Sequence, residues 1–139
     1  MLIDQISIFA ENKPGTLAEI TAMLAEASID IEAFTIADTS EFGILRLIVD
    51  APKKALAVLK LGGWVATLTP VIAVKMDDQP GSLSKILKMF AEAGVSIEYL
   101  YAFVAREAGY AYVIFRVEDA PKAVAILEAS GVVTAASLA

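Results

Sequence analysis

The chain has 139 residues, 58% of them apolar, and its 17 acidic and 11 basic residues give a net charge of −6. This length suits one ordinary domain or two very small ones with a packed core, and the charge disfavours nucleic acids and anionic membranes as partners. The absence of cysteine and histidine excludes disulfides, thiol chemistry, imidazole catalysis and most zinc sites.

The elements predicted in chain order repeat one pattern twice. In the first copy, a strand with alternating Ile6 and Ile8 is followed by a Pro-Gly pair. A helix comes next, with Ile20 and Leu24 on one apolar face. Two runs rich in β-branched and aromatic residues then flank a short polar segment, as in a β-hairpin. A second helix and a last strand complete the pattern.

The second helix of each copy carries signals for its two ends. Asp50 and Asp119 are predicted as N-caps, each with proline in the first helical turn. Gly62 and Gly131 are predicted to lie just past the helix ends.

The repeat has a defined offset. It is 66 residues from Pro14 to Pro80 and 69 residues from Asp50 to Asp119, so the second copy is longer within this span. We therefore predict two α+β domains, residues 1–69 and 70–139. Each is a ferredoxin-like βαββαβ domain whose antiparallel sheet carries both helices on one face. Because the link between them is so short, we expect the two sheets to lie close together, edge to edge.

The Pro-Gly loops are candidate anion sites. A helix N-terminus presents backbone N–H groups without intrahelical partners, and glycine lets a ligand approach closely. A carboxylate bound there would accept hydrogen bonds from Gly15, Thr16 and Leu17, or from Gly81, Ser82 and Leu83. In the alternative interpretation, Pro-Gly only forms a tight strand-to-helix turn.

The chain resembles the ACT domain, a small regulatory module of amino-acid metabolism. The resemblance rests on "ENKPGTLAEI" and "DDQPGSLSKI" after the first strands, and on "AEASIDI" and "AEAGVSI" leading into the second strands. It covers essentially the whole chain, twice. It implies a site for a free amino acid at the seam between neighbouring domains, lined by the first loop and the start of strand two.

The resemblance assigns contacts position by position in both copies. In the first copy they are Asn12, Pro14, Gly15, Thr16 and Leu17, with Asp30 and Ile31 in strand two. In the second copy they are Asp78, Pro80, Gly81, Ser82 and Leu83, with Ser96 and Ile97 in strand two.

Three of these residues depart from the family pattern. Many ACT domains have asparagine at the positions of Asp30 and Ser96, and an acid at the position of Asn12. Either the two seam sites differ in ligand or one of them is vacant. We hypothesise that the better site joins the first loop to Ser96, because Asp77 and Asp78 would repel a carboxylate at the other loop.

The strands of the second copy are rich in tyrosine. Strict alternation places one apolar set on one face of its second strand, namely Val95, Ile97, Tyr99, Tyr101 and Phe103. Leu100 and Ala102 fall on the opposite face, so both faces are apolar. Burial against a partner surface would explain this, and a homodimer is therefore expected.

Arginines in the third strands are predicted to be structural. Arg46 and Arg116 lie amid apolar neighbours, and Glu32 and Glu98 are their natural ion-pair partners.

The sequence favours a regulatory amino-acid sensor without catalytic activity, metal or cofactor. The main alternative is a structural dimerisation module that binds no ligand. RNA binding is disfavoured by the charge and by the lack of aromatics on the first strands, although βαββαβ order and sheet tyrosines suit it. An enzyme is disfavoured because no nucleophile, metal cluster or phosphate-cradling loop is present. No membrane span or signal peptide is evident, so a cytoplasmic location is expected. The resemblance leaves the regulated enzyme unspecified.

Overall fold

The computed structural model describes residues 1–11, 13–38 and 42–138. They form two compact units. The N-terminal unit comprises Asp4–Thr69, and the C-terminal unit comprises Met1–Ile3 together with Pro70–Leu138.

Eleven strands and helices follow one another along the described residues in the predicted order. They are β1 (Ile3–Glu11), α1 (Thr16–Glu26), β2 (Ile31–Asp38), β3 (Phe42–Val49), α2 (Pro52–Leu61), β4 (Val65–Asp77), α3 (Ser82–Glu92), β5 (Ile97–Val104), β6 (Tyr110–Val117), α4 (Ala120–Ala129) and β7 (Val133–Thr134). This confirms the predicted α+β class with the βαββαβ pattern repeated. One strand, β4, contains both the last strand predicted for the first copy and the first strand predicted for the second.

The N-terminal unit has the strand order β2-β3-β1, with β4 on the other side of β1. Strand β3 pairs antiparallel with both β1 and β2. Leu45 of β3 lies opposite Ile8 on one side and Ile36 on the other. Helices α1 and α2 cover one face, where Ile20 and Leu59 are fully buried. Apolar residues at every second strand position and at helical spacing build this core, as the sequence pattern predicts.

The C-terminal unit has the order β7-β4-β6-β5, again antiparallel. Its core centres on Phe90 of α3 and Phe115 of β6, whose rings meet edge to face with centroids 5.3 Å apart. Such a pair contributes about 0.5–1.5 kcal/mol beyond its area burial.

A β-bulge near the start of the second strand recurs in both units. The register shifts between Ile31 and Ala33 in β2, and between Ile97 and Tyr99 in β5. Ile97 therefore lies opposite Val117 and packs in the core, whereas Tyr99 lies opposite Arg116 on the other face. The single apolar face predicted by strict alternation is wrong, because the extra bulge residue reverses the alternation.

Asp50 does not cap α2, contrary to prediction. The N-cap of α2 is Ala51, and the Asp50 carboxylate instead accepts a hydrogen bond from the Asp30 N–H at 3.0 Å. The Asp50 N–H also donates to the Asp30 carbonyl at 3.2 Å, and in the C-terminal unit the Glu118 N–H makes the corresponding bond to the Ser96 carbonyl at 3.1 Å. The inserted Glu118 thus leaves Asp119 to cap α4, where its carboxylate accepts from the Lys122 N–H as predicted.

Gly62 lies directly past the end of α2, as predicted, and is its C-cap. It has a helical φ of −77°, and the left-handed residue after α2 is Gly63, at φ 86°. A Cβ on Gly62 would lie 2.0 Å from Cε of Met23, so the end of the Met23 side chain occupies the place of a Cβ there. Gly131 also lies past the end of α4 with a left-handed φ of 74°, as predicted.

Candidate functional site

Both Pro-Gly loops have the same backbone conformation. Gly15 and Gly81 are the N-caps of α1 and α3, with φ of 90° and 92° and ψ of −14° and −15°. This left-handed conformation is costly for residues with a Cβ, which explains glycine at both positions. Neither glycine has a side chain to cap its helix, so backbone N–H groups of the first turn face solvent or a ligand.

The turn itself uses one of the predicted donors. The Thr16 N–H donates to the Lys13 carbonyl at 3.3 Å, and the Ser82 N–H donates to the Gln79 carbonyl at 3.2 Å. Leu17 and Ala18 remain as first-turn donors without an intrahelical partner in α1. Ala18 was not among the predicted contacts.

A cleft of about 380 Å³ opens beside the first loop, within the N-terminal unit. The loop and the start of α1 form one wall, and the ends of three strands form the other. Its lining residues are Ala10, Glu11, Lys13, Pro14, Gly15, Thr16, Leu17, Ala18, Ile36, Gly43 and Leu45. The volume lies within the range typical of small-molecule sites. Four predicted contacts, from Pro14 to Leu17, therefore lie together.

Thr16 is a buried residue that lines this cleft. The residue is only 6% exposed, and among the described residues its hydroxyl makes no hydrogen bond. The Thr16 hydroxyl is thus a donor and acceptor available to a ligand in the cleft.

The charges at the first loop nearly cancel. Lys13 Nζ lies 3.3 Å from Glu11 Oε2, and both side chains are exposed. The second loop instead carries Asp77 and Asp78, both exposed, with the neutral Gln79 at the position of Lys13. The second loop therefore carries more negative charge than the first.

Two strand positions beside the second loop carry larger side chains than their counterparts at the first loop. Met76 lies opposite Ala111, as Ala10 lies opposite Gly43 in the N-terminal unit. Met76 is half-buried and packs against the core of its unit. Pro80, Gly81, Ser82 and Leu83 form the start of α3 as predicted, but the small residues that open the first cleft have larger counterparts here.

The starts of the second strands lie far from the loops of the same unit. In the C-terminal unit, Asp77 before the loop pairs with Tyr110, whereas Ile97 pairs with Val117 at the other end of β6. At about 3.3 Å per residue, the eight residues of β5 separate these ends by roughly 23 Å. The N-terminal unit has the same arrangement, since Glu11 pairs with Phe42 and Ile31 with Val49.

The strand-two residues have their own surroundings. Asp30 is exposed, and its backbone exchanges hydrogen bonds with Asp50. Ser96 lines an open cleft of about 470 Å³ with Glu118, Asp119 and Lys122. No single unit brings the predicted loop and strand-two contacts together. Asn12, the remaining predicted contact, lies outside the described residues.

A second cleft, of about 480 Å³, also borders the first loop. It shares Pro14, Gly15 and Thr16 with the first cleft and adds Trp64, the chain's single tryptophan. The Trp64 indole N–H points to the Met23 sulfur at 3.2 Å. Trp64 is therefore a natural fluorescent reporter of events at this loop.

The sheet face away from the helices in the C-terminal unit is aromatic. Phe103 and Tyr112 stack with ring centroids 5.6 Å apart, and Lys75 Nζ lies 4.3 Å from the centroid of the Tyr110 ring. Lys75 also donates to Glu107, and this hydrogen bond raises the pKa of its ammonium group. These side chains are thus already engaged with one another.

The predicted ion pair between Arg116 and Glu98 is present, at the bulge of β5. Arg116 Nε lies 3.2 Å from Glu98 Oε2, and its Nη1 donates to the Pro70 carbonyl at 3.0 Å. Arg116 therefore ties the bulge to β4, which is a structural role.

Residues 1–11, 13–38 and 42–138 contain neither a metal-binding cluster nor a membrane-spanning helix. Within them, no group of three or more acidic side chains is placed to hold a metal ion. No helix in the same ranges is long and apolar enough to cross a bilayer.

Sequence reasoning missed the residues that open the first cleft. Ala10, Ile36, Gly43 and Leu45 come from three strands and meet only through the sheet register. One sequence signal was available, because the repeat aligns the small Ala10 with Met76.

Comparison with known proteins identifies the family to which this chain belongs. The chain belongs to the ACT domain family and matches the ACT domain pair over residues 1–138. Among solved structures, protein BT0572 from Bacteroides thetaiotaomicron superposes with a TM-score of 0.92 at 37% identity, covering 97% of this chain and 92% of that one. No curated protein sequence matches the chain.

Two further structures share the fold at lower identity. The regulatory subunit of aspartate kinase from Thermus thermophilus, in ligand-free form, has a TM-score of 0.69 and 23% identity, covering 92% of this chain and 90% of that one. The corresponding subunit from Thermus flavus has a TM-score of 0.64 and 20% identity, covering 94% and 95%.

Proposed function

We propose that the chain is a regulatory sensor that binds a free amino acid at the first Pro-Gly loop and catalyses no reaction. The observation that carries this proposal is the Thr16 hydroxyl, which belongs to a buried residue at a cleft beside a helix N-terminus and has no hydrogen-bond partner among the described residues. Membership of the ACT domain family supports a regulatory role.

The ligand carboxylate binds at the first turn of α1. The N–H groups of Leu17 and Ala18 and the Thr16 hydroxyl are its donors, and the helix dipole favours its charge. Glu11, which also lines the cleft, accepts from the ligand ammonium while Lys13 offsets its charge. Charge-assisted hydrogen bonds of this kind contribute about 1.5–3 kcal/mol each.

A neighbouring ACT domain completes the site. Because Asp30 and Ser96 lie at the ends of their own sheets away from the loops, such a strand-two start reaches a loop only from another domain. Ligand binding then favours one arrangement of domains or subunits over another, and a regulated partner responds to that shift.

Calorimetric titration with each of the twenty L-amino acids, raised to millimolar concentration, tests the proposal. We expect saturable binding of one or a few of them. The Thr16→Val variant should bind about two- to tenfold more weakly, because it loses one hydrogen bond at nearly constant shape.

Thr21→Val is the matched control. Thr21 lies on the same helix, but its exposed hydroxyl bonds back to the Leu17 and Ala18 carbonyls. Unchanged affinity is expected for this variant. Equal weakening by both substitutions, or no binding of any amino acid to the wild type, contradicts the proposal.

A dimerisation module is the second candidate, and one exposed edge favours it. Strand β2 ends the strand order of the N-terminal unit, and Phe34 on this strand is 71% exposed. Homodimerisation through this edge would bury Phe34 and extend the sheet. Sedimentation equilibrium of the wild type and of Phe34→Lys tests it, and a monomeric wild type would refute it.

A further inference from the structure

We infer that the first cleft receives the apolar side chain of the ligand, and that Ala10 and Gly43 set its selectivity. This inference rests on the proposed function, since it assigns the side-chain end of the same site. It identifies the ligand class as amino acids with medium-sized apolar side chains, and it limits this class to the N-terminal unit.

The chemistry of the two cleft walls differs. The loop wall carries the polar groups, namely the first-turn N–H groups, the Thr16 hydroxyl and Glu11. The strand wall consists of Ala10, Ile36, Gly43 and Leu45, which have no polar side-chain atom. An amino acid held by its carboxylate and ammonium at the loop directs its side chain towards an apolar wall, which favours hydrocarbon over polar groups.

Gly43 is the one residue of this wall that has no side chain. A Cβ built on Gly43 would lie 3.3 Å from Cδ1 and 3.5 Å from Cγ1 of Ile36, with the next neighbour at 3.9 Å. Gly43 has no left-handed backbone conformation to explain its glycine. The missing side chain instead lets the end of the Ile36 side chain lie against the Gly43 backbone at the strand wall, and a Cβ there would push it towards the cleft.

The internal repeat provides a comparison within the same chain. The register that pairs Ala10 with Gly43 pairs Met76 with Ala111 in the C-terminal unit. Both counterparts are larger, and Met76 packs into the core of its unit. The fold thus accepts larger side chains at this pair of positions, and the N-terminal unit has smaller residues there.

The affinity of matched amino acids for the wild-type protein tests the selectivity. Titration followed by Trp64 fluorescence and calorimetry uses glycine, alanine, valine and leucine as a series of growing side chains. Each buried methylene should tighten binding about fourfold. Threonine should bind at least about tenfold more weakly than isosteric valine, since its hydroxyl finds no partner on the strand wall.

The double variant Ala10→Met with Gly43→Ala places the larger residues of the C-terminal unit at these two positions. It should weaken leucine binding about ten- to a hundredfold and leave glycine binding within about twofold. The reverse variant, Met76→Ala with Ala111→Gly, should leave leucine affinity unchanged. If the double variant does not fold, Gly43→Ala alone gives the test, because only the end of the Ile36 side chain must shift.

The outcomes separate the two proposals. Binding that is tightest for polar amino acids, or leucine affinity unaffected by filling the wall, overturns this inference and leaves an amino-acid sensor standing. Absence of binding by every amino acid overturns both.

Discussion

Replacing Gly15 with alanine measures the cost of the loop backbone alone. No atom lies within 4 Å of a Cβ built there, so the substitution introduces no steric clash. The cost comes from the φ of 90°, a region where a Cβ costs about 1–2 kcal/mol. Alanine also stiffens the unfolded chain, which returns about 0.4–1 kcal/mol. We expect a net loss of about 1 kcal/mol, or about 4–8 °C in the melting temperature of a domain this small.

Urea unfolding followed by Trp64 fluorescence measures this loss, because Trp64 lies in the N-terminal unit. Gly81→Ala is the matched substitution, with φ 92° and equally open surroundings, and circular dichroism should show the same loss for it. Gly15→Asn should cost less than Gly15→Ala, since asparagine tolerates the left-handed region better. A loss above about 3 kcal/mol for Gly15→Ala, or asparagine as costly as alanine, would refute a purely conformational role.

Three further predictions concern stability. Gly62→Ala should destabilise the protein by about 1 kcal/mol in urea unfolding, because the end of the flexible Met23 side chain must move; a loss above about 3 kcal/mol would contradict this. Asp119→Ala should cost about 1 kcal/mol, since it removes the α4 cap, and Asp119→Asn should recover most of it. The hydrogen bond to Glu107 raises the pKa of Lys75, so its stabilisation is complete below the ordinary value of 10.5 and is lost as pH rises through the raised pKa. Urea midpoints of Lys75→Met and wild type should therefore converge only at strongly alkaline pH.

The fold was predictable because its signals are local and occur twice. Alternation in the strands, helical spacing after each Pro-Gly pair and the turn glycines all point to the same element order. The left-handed conformation of Gly15 and Gly81 follows from the same physics that suggested a special loop. A pattern that recurs at a fixed offset also defines the repeat without any knowledge of tertiary contacts.

The cleft was not predictable because it depends on register. Ala10 and Gly43 are distant in sequence and become neighbours only when β1 pairs with β3. The bulge at the start of β5 likewise reversed the predicted face of Tyr99, although nothing in its local sequence marks an extra residue. The role of Asp50 was also not predictable. It forms hydrogen bonds with Asp30, the residue before β2, and does not cap α2.

The two units separate the residues that the fold needs from those that are free to change. Gly15 and Gly81 hold the same dihedral angles, because a helix that starts at a left-handed residue leaves little choice but glycine. Ala10 and Met76 occupy equivalent positions in equivalent strands, yet their side chains differ in volume. The fold therefore tolerates either size at this position. Stability therefore depends on residues that the repeat has kept, and the proposed selectivity depends on residues in which the two copies differ. It follows that filling the first cleft should remove ligand selectivity while both sheets and all four helices remain intact.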